Sequence, residues 1–564
     1  MAENHASFWR GHRGLKWLAV GLVVLLAALG VAVSVILHRA EPYLRARIVE
    51  SLESRFHARV ELDSFHMSLL HGVLAEGRGL RIWPPAQVEG VTVTPAADKT
   101  DPLIRLEQFS FRAPLHFQPG KPFHIVVVQL NGLDVHIPPK SHFHRRSDAP
   151  PQSSGVAPLI SFALDKIECT SAHFVLETDK PGKLPLDFAI ARFTLTGNGG
   201  GAIHAGSVMR FEAELTNPRP VGLIHSAGTI GPWQNSDPGE TPVQGSYQFD
   251  HADLASFKGI AGILSSTGAY QGTLRDLIVD GDTETPDFRL THFGNTMPLH
   301  THFHAKVDGT NGDTWLEPVD ATLGHSHFIA QGQVVRVIAI DPATGQRVSK
   351  GHDIALNINI DNARIEDFLH LTSNTSTPLL TGAVVVKAAL HIPPGHVPVQ
   401  RRLTLKGAFN LDQVRFTSAK IQDKITDLSL RGQGHPKDLK SADPETTRST
   451  MQGDFRMAAG VINLPALTYT VPGATIQLKG TYGVEGGALN FAGFAKLNAT
   501  VSQMVGGVLG VFLKPANRFF KKDGAGTEIP IRISGTRKDP KFAVEFRRGR
   551  GKPKDNSAPP AEKP

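Results

Sequence analysis

From about residue 60 to residue 546 the apolar residues recur with a period close to two, and stretches with the 3.6-residue period of a long helix are almost missing. Side chains along a strand point alternately to opposite faces, so a chain written this way is a succession of strands with one apolar and one wet face. In Ile354–Asp361 the residues Ile354, Leu356, Ile358 and Ile360 fall on one side, and Asn357, Asn359 and Asp361 on the other. The same alternation sets Leu403, Leu405, Phe409 and Leu411 against Arg402, Thr404, Lys406, Asn410 and Asp412, with Gly407 in the apolar row. Further strands are predicted at 103–111, 124–137, 188–195, 301–307, 474–482 (with Ile476 and Leu478), 489–497, 531–534 and 542–546. Without long helices between the strands, parallel βαβ construction is disfavoured and an antiparallel meander is expected.

Two short helical breaks are predicted, at Asp250–Ile260 and Asp361–Leu371, each followed by a glycine-punctuated strand pair that suggests a diverged repeat. Residues 140–158 are polar, rich in Pro and Ser and aperiodic, and read as a linker; residues 547–564 are basic and too poor in apolar residues to pack. The 55 glycines and 39 prolines fit a chain of frequent turns. The single cysteine, Cys169, excludes an internal disulfide and a multi-thiolate metal centre. A surplus of only seven basic over acidic residues, 59 against 52, gives no domain-wide nucleic-acid footprint.

The N-terminal region differs from the rest. No charged residue interrupts Leu18–Leu37, and at about 1.5 Å per residue this run matches a hydrocarbon core of about 30 Å. It lacks the short apolar centre and small-residue end of a cleavable leader, and is read as an uncleaved anchor. Arg10, Arg13 and Lys16 before it balance Arg39, Arg45 and Arg47 after it, so the long C-terminal bulk decides orientation, as a signal-anchor that exports it. Leu44, Ile48, Leu52 and Phe56 then mark an amphipathic helix. The expected organisation is a tail (1–16), an anchor (17–38), a helix and sheet (39–139), the linker (140–158), a middle β region (159–330), a C-terminal β region (331–546) and the basic tail (547–564).

Searching for chemistry returns little. Phosphate-binding loops, the dinucleotide fingerprint and HExxH are absent, and Ser226 lacks the first glycine of a nucleophile elbow. His300, His302 and His304 share a strand side with Lys306, opposite Phe303, Ala305 and Val307, which is the solvent side. The acidic clusters 280–282 and 308–313 have turn composition, not calcium-loop spacing. No enzyme, metal or cofactor is expected.

The anchor, the amphipathic helix and the segment Glu53–Ile82 resemble the opening of AsmA-like proteins, which share a superfamily with the TamB and YhdP proteins of bacterial envelopes. Residues 471–482, 489–505, 524–536 and 540–542 resemble that family's C-terminal region, and 309–321 also looks like it. The resemblance implies an inner-membrane-anchored periplasmic protein, mainly β, with one transmembrane helix followed by a long curled antiparallel sheet and a few short helices. It further implies a role in outer-membrane homeostasis and phospholipid transfer, and no catalytic residues. This chain is several-fold shorter than the largest members.

Read together, the alternation and the resemblance predict a trough of roughly 25 strands with no helices to cover it. Its lining would be Ile354, Leu356, Ile358, Ile360, Leu403, Leu405, Phe409, Leu411, Ile476 and Leu478, with phospholipid acyl chains inside. The apolar stretch 504–513 and its basic sequel, with Leu509, Phe512, Leu513, Phe519 and Phe520, read either as an interfacial segment meeting a membrane or a partner, or as a plug of the trough end. A different reading is an envelope scaffold that buries its own apolar faces and binds outer-membrane or periplasmic protein partners.

Overall fold

The computed structural model of the chain describes residues 59–68, 73–83, 102–113, 123–138 and 162–544, with part of 41–53; the longest gaps in the last range are 439–447 and 506–525. The predicted anchor at 18–37, the segment at Leu509–Phe520 and the basic tail lie outside the described residues.

The described chain forms one 24-stranded sheet. Its first part comprises β1 (Val60–Ser68), β2 (Val73–Ile82), β3 (Ile104–Ala113), β4 (Phe123–Ile137), β5 (Phe162–Leu176), β6 (Leu186–Gly197), β7 (Met209–Pro218), β8 (Val221–Ile230) and β9 (Pro242–Asp253). The middle comprises the two-residue β10 (Ile260–Ala261), β11 (Ile263–Thr273), β12 (Asp276–Leu290), β13 (Met297–Asp308), β14 (Thr314–Leu323), β15 (Ser326–Ile340) and β16 (Arg347–Arg364). The last part comprises β17 (Leu380–Ile392), β18 (Thr404–Phe416), β19 (Thr450–Ala458), β20 (Val461–Val471), β21 (Ala474–Gly483), β22 (Ala488–Leu497), β23 (Thr527–Thr536) and β24 (Pro540–Val544). Strands pair with their chain neighbours throughout, β10 excepted, and the predicted strands fall inside observed ones to within a few residues.

All pairings are antiparallel except β4–β5, which is parallel from Phe123–Phe162 to Ile137–Leu176. A parallel pair needs a crossover, because the chain must return to the same end of the sheet. The Pro- and Ser-rich segment 140–158 falls in that connection, and the sheet continues unbroken past it.

The sheet is curled into a half-barrel. Register breaks supply the bends, since a residue without a partner turns the strand and increases its twist. In β1 to β5 the register is unbroken, but one pair is missing at the same level of each ladder, at Asp63–Gly79, Gly79–Glu107, Glu107–Gly132 and Gly132–Ser171; a true register shift appears between β6 and β7, at Ile190/Arg192. Gly132 has φ +68°, and a Cβ on it would meet the Glu107 side chain within 2.6 Å.

Hairpin turning divides the strand ends into two rims. One rim carries the connections after β5, β7, β9, β12, β14, β16, β18, β20 and β22, and the other those after β6, β8, β11, β13, β15, β17, β19, β21 and β23. Helix α1 (Ile365–Leu371) stands on the first rim and α2 (Val399–Arg402) on the second. Helices α3 (Ala419–Gly432) and α4 (Val501–Val505) follow β18 and β22 on the first.

Two expectations need correction. The predicted helical break at Asp250–Ile260 is strand through Asp253, because Phe249 and Ala252 fill the apolar face, and only Leu254–Ser256 turns, capped by the Asp253 carboxylate accepting from Ala255 N–H at 2.9 Å. The break at Asp361–Leu371 begins as helix only at Ile365, since Ala363 is still paired with Val384. The apolar face is also not free of helical cover. α3 lays Ile425 and Leu428 on the cluster of Ile360, Val384, Leu411, Val414, Tyr469 and Val471, joined by Phe368 of α1 and Met504 of α4. The spacing of Ile421, Ile425 and Leu428 carries that amphipathic signal.

The first strand would leave a free edge, a template for unwanted pairing. Side chains from 41–53 occupy it: Met67 N–H donates to Glu41 (3.0 Å), Val60 N–H to Glu53 (3.3 Å), and Arg45 Nε donates to Leu62 O (3.1 Å). Ile48, Val49 and Leu52 pack beside Val60, Leu62 and Phe65.

Leu411 is 4 % exposed under α1 and α3, whereas Leu405 on the same strand and face is only half-buried. Leu411→Ala should therefore lower unfolding stability by about 2–5 kcal/mol, and Leu405→Ala by well under half of that, measured by urea titration.

Candidate functional site

The registers align the inner positions of the sheet into rows across the whole molecule. One row starts Met67–Ala75–Phe111–Val128–Ile167–Leu195–Phe211–Gly228–Gly245. It continues Tyr270–Val279–Ala305–Leu316–Gly332–Leu356–Leu390–Leu405. It ends Met457–Ile462–Tyr482–Leu489–Gly535–Pro540. Every strand except β10 contributes, and no position is charged.

A second row runs from Phe65 through Gly77, Phe109, Leu130, Cys169, Phe193, Ala213, Ser226, Tyr247, Gly268, Gly281, Phe303, Val319, Ala330, Ile358, Ala388 and Gly407 to Phe455. A third runs from Leu62 to Phe328 through residues such as Leu80, Leu106, Ile190, Leu215 and Phe249, and another from Ile360 to Val544. Neither contains a charge. At about 4.8 Å per strand, this apolar floor is on the order of 100 Å long.

The predicted lining residues take different places on it. Ile354, Leu356, Ile358 and Ile360 share the inner face of β16, but Ile360 and Leu411 are buried under the helices, with Ile358, Phe409 and Ile476 packed against that cluster. Leu478 pairs with Leu467 and Gly493 in the inner row, and Leu403 stands at the end of α2, one residue before β18. The open floor is at Leu356, Leu390, Leu405 and Met457, which line a cavity of about 490 Å³ together with their neighbours along the four strands. Leu390 and Met457 were not among the predicted residues, although each sits in an alternating segment.

The outer face is the reverse. Asn357, Lys406 and Arg456 alternate with the lining residues and are exposed. Further along, His304, His302 and His300 pair across β12 with Asp280 (2.6 Å), Asp282 (2.9 Å) and Glu284 (3.1 Å). These histidines thus lie on the wet face, each against one carboxylate, and no group of three or more ligating side chains that could hold a metal occurs among the described residues.

The two rims meet where the chain crosses from β5 to β6. The loop 177–185, on the first rim between β5 and β6, reaches the β13–β14 turn on the second. Lys183 Nζ donates to Asp313 (2.9 Å) and to Arg336 O (2.7 Å), Lys180 Nζ pairs with Asp308 (2.7 Å), and Leu186 N–H donates to Thr310 O (2.9 Å). Arg336 Nη1 donates to Pro185 O (3.3 Å). The acidic turn 308–313 is the anchor of this strap: Asp308 accepts from Thr310 Oγ1, Thr310 N–H and Asn311 Nδ2.

No protein-family model, curated protein or solved structure matches this chain. The likeness to AsmA-like proteins therefore rests on the residues quoted above. Among the described residues no helix is long and apolar enough to cross a membrane.

Two outcomes follow from the chemistry of this region. Burial pushes the Cys169 thiol up to about 11, so it should resist maleimide at pH 7–8 in the folded chain and react at once in denaturant. Burial alone would raise the Asp308 carboxyl, but the Lys180 ammonium and the two Thr310 donors outweigh it and hold the carboxyl below its usual range. The strap's stabilisation from Asp308 is then complete above the unfolded value of about 3.9 and lost as pH falls below it through the folded value. Hydrogen exchange at Leu186 N–H, corrected for intrinsic pH dependence, should accelerate below about pH 4, and in Asp308→Asn already at pH 7.

Proposed function

We propose that this protein is an inner-membrane-anchored periplasmic lipid carrier of outer-membrane homeostasis, holding phospholipid acyl chains in the curled sheet for transfer between membranes. The observation that carries the reading is the continuity of the charge-free rows. A sheet that buried its inner face only to fold would need apolar side chains where a second layer lies on it. Here the apolar rows also run where α1 and α3 do not reach, through Leu356, Leu390, Leu405 and Met457.

The mechanism is physical. Each buried methylene contributes about 0.8 kcal/mol, so half an acyl chain on this floor gains several kcal/mol without a specific polar contact. Successive strands offer nearly the same apolar surface, so shifting a chain by one strand exchanges equivalent environments and needs only a small barrier. Movement is then diffusion along the sheet, with direction set by the lipid supply at one end and its removal at the other. The anchor read at 18–37 precedes the segment that closes the edge of β1, so in this reading the β1 end stands at the inner membrane and β24 at the far end.

A scaffold that covers its own apolar face has one observation in its favour, the packing of α3 on the C-terminal part of the floor. The two readings differ in content. The full chain, purified from envelopes in mild detergent, should carry phospholipid by native mass spectrometry with lipid extraction. Leu356→Asp with Leu405→Asp should reduce that load by about an order of magnitude, because a carboxylate replaces several methylene contacts and must stay hydrated, while Asn410→Asp, exposed on the wet face and away from the cavity, should leave it unchanged. A folded, lipid-free wild-type chain would sink the carrier and leave the scaffold.

A further inference from the structure

In an open trough a lipid keeps its acyl chains on the floor and its headgroup in water at the mouth. The strap 177–185 interrupts that path, because it ties the rim at β5 and β6 to the opposite rim at β13 to β15. Asp179 of the strap also acts on Arg275 in the β11–β12 turn, which is itself held by Asp237 (2.7 Å) and Glu240 (2.9 Å). The strap thus runs from one rim to the other across the section between β6 and β13, the place where a lipid moving along the floor meets it.

The floor changes character in the same section. In the rows described, hydroxyls occur at Ser226, Tyr247, Ser266, Tyr270, Thr283 and Thr301, all from β8 to β13; Tyr482 on β21 is the other one. They form pairs across the strands: Ser226 with Tyr270 (2.7 Å), Tyr247 with Ser266 (3.0 Å) and Thr283 with Thr301 (2.6 Å). Tyr247 lies flat across Gly268 and Gly281, where an added Cβ would come within 2.7 Å and 2.5 Å of its ring and hydroxyl. The glycines thus make room for a polar aromatic floor. Burial raises the pKa of both tyrosines, so they remain neutral hydroxyls able to donate.

We infer that this strapped section is a passage through which a diacyl phospholipid travels whole, with its small headgroup inside the protein and its ester and phosphodiester oxygens bound by the hydroxyls of Tyr247, Tyr270 and their partners. The inference rests on the carrier reading and adds a substrate class: glycerophospholipids with compact headgroups pass, and lipids with bulky headgroups stop at the strap. Hydroxyls suit the task because they pair with one another when the passage is empty, so no polar group is stranded, and they can turn to an oxygen acceptor when it is filled.

The test uses the full chain in detergent with p-benzoylphenylalanine placed at Phe303, in the strapped section, or at Leu390, in the open one. The probes are phosphatidylglycerol and a phosphatidylethanolamine bearing a long polyethylene glycol on its headgroup. Phosphatidylglycerol should crosslink at both positions and the bulky lipid only at Leu390. Lys183→Ala with Asp313→Ala, which releases the strap, should let the bulky lipid reach Phe303, and crosslinking at Leu390 reports that the sheet is still folded. Tyr247→Phe with Tyr270→Phe should reduce phosphatidylglycerol crosslinking at Phe303 by about tenfold, the worth of one or two hydrogen bonds, and not at Leu390. Bulky lipid at Phe303 in the wild type, phosphatidylglycerol absent from Phe303 while present at Leu390, or indifference to the tyrosine pair would each overturn the inference. Absence of both lipids from Leu390 would instead remove the carrier reading itself.

Discussion

An antiparallel sheet with apolar side chains on one face and no second sheet to lay against it has to curl around that face or fill it from outside. The rest of this molecule depends on that constraint. Alternation in each strand puts Leu, Ile, Phe and Val on one face, in-register pairing turns those positions into rows, and the rows continue from strand to strand because the register shifts, where they occur, bend the strands without moving the apolar set to the wrong side. A one-residue slip anywhere would send charged neighbours such as Lys406 and Arg456 into the trough. The rows thus stay charge-free only because the pairing is right on every strand.

Curling creates two further problems, at the edges and at the mouth. The chain solves the first at β1 with side chains instead of another strand: Glu41, Arg45 and Glu53 satisfy backbone groups that would otherwise invite a neighbour. At the mouth, the strap holds one rim to the other by two lysine–carboxylate pairs whose carboxylates are nearly buried. Ion pairs at an exposed rim contribute little. Asp308 and Asp313 are different because each is also held by hydrogen bonds from its own turn or from β15, so breaking the pair would strand a buried charge. That makes the strap a fixed part of the architecture.

Much of this was legible in the residues and some was not. The period of two gives the strands, and Ile354–Asp361 alone shows which side is apolar. The rows could not be read, because they depend on register, and register depends on bulges at positions such as Ala191, His251 and Asn362 that leave no consistent mark in composition. Helix α3 was missed although Ile421, Ile425 and Leu428 announce it, since a single amphipathic helix between long strands looks like one more apolar stretch. The turn 308–313 reads as a hairpin turn from its Asp, Gly and Asn content, and it is one; that it receives a loop about 130 residues earlier in the chain is a consequence of curvature alone.

The same logic separates the two halves of the groove. From β16 onward the floor is aliphatic and partly roofed by α1 and α3, which bury Leu411 and Val414 and leave Leu405 and Met457 open. Around β8 to β13 helix α3 does not reach and α1 packs only on the end of β12 and β13, at Leu290 and Met297; glycines replace the large aliphatics, and tyrosine, serine and threonine cover the space they leave. Stability does not require that exchange: a floor of leucines would bury more apolar area and would leave no hydroxyls to be paired. In the carrier reading a polar section matches contents that are polar at the same place, and the strap lies across that section, where a headgroup would lose its access to water.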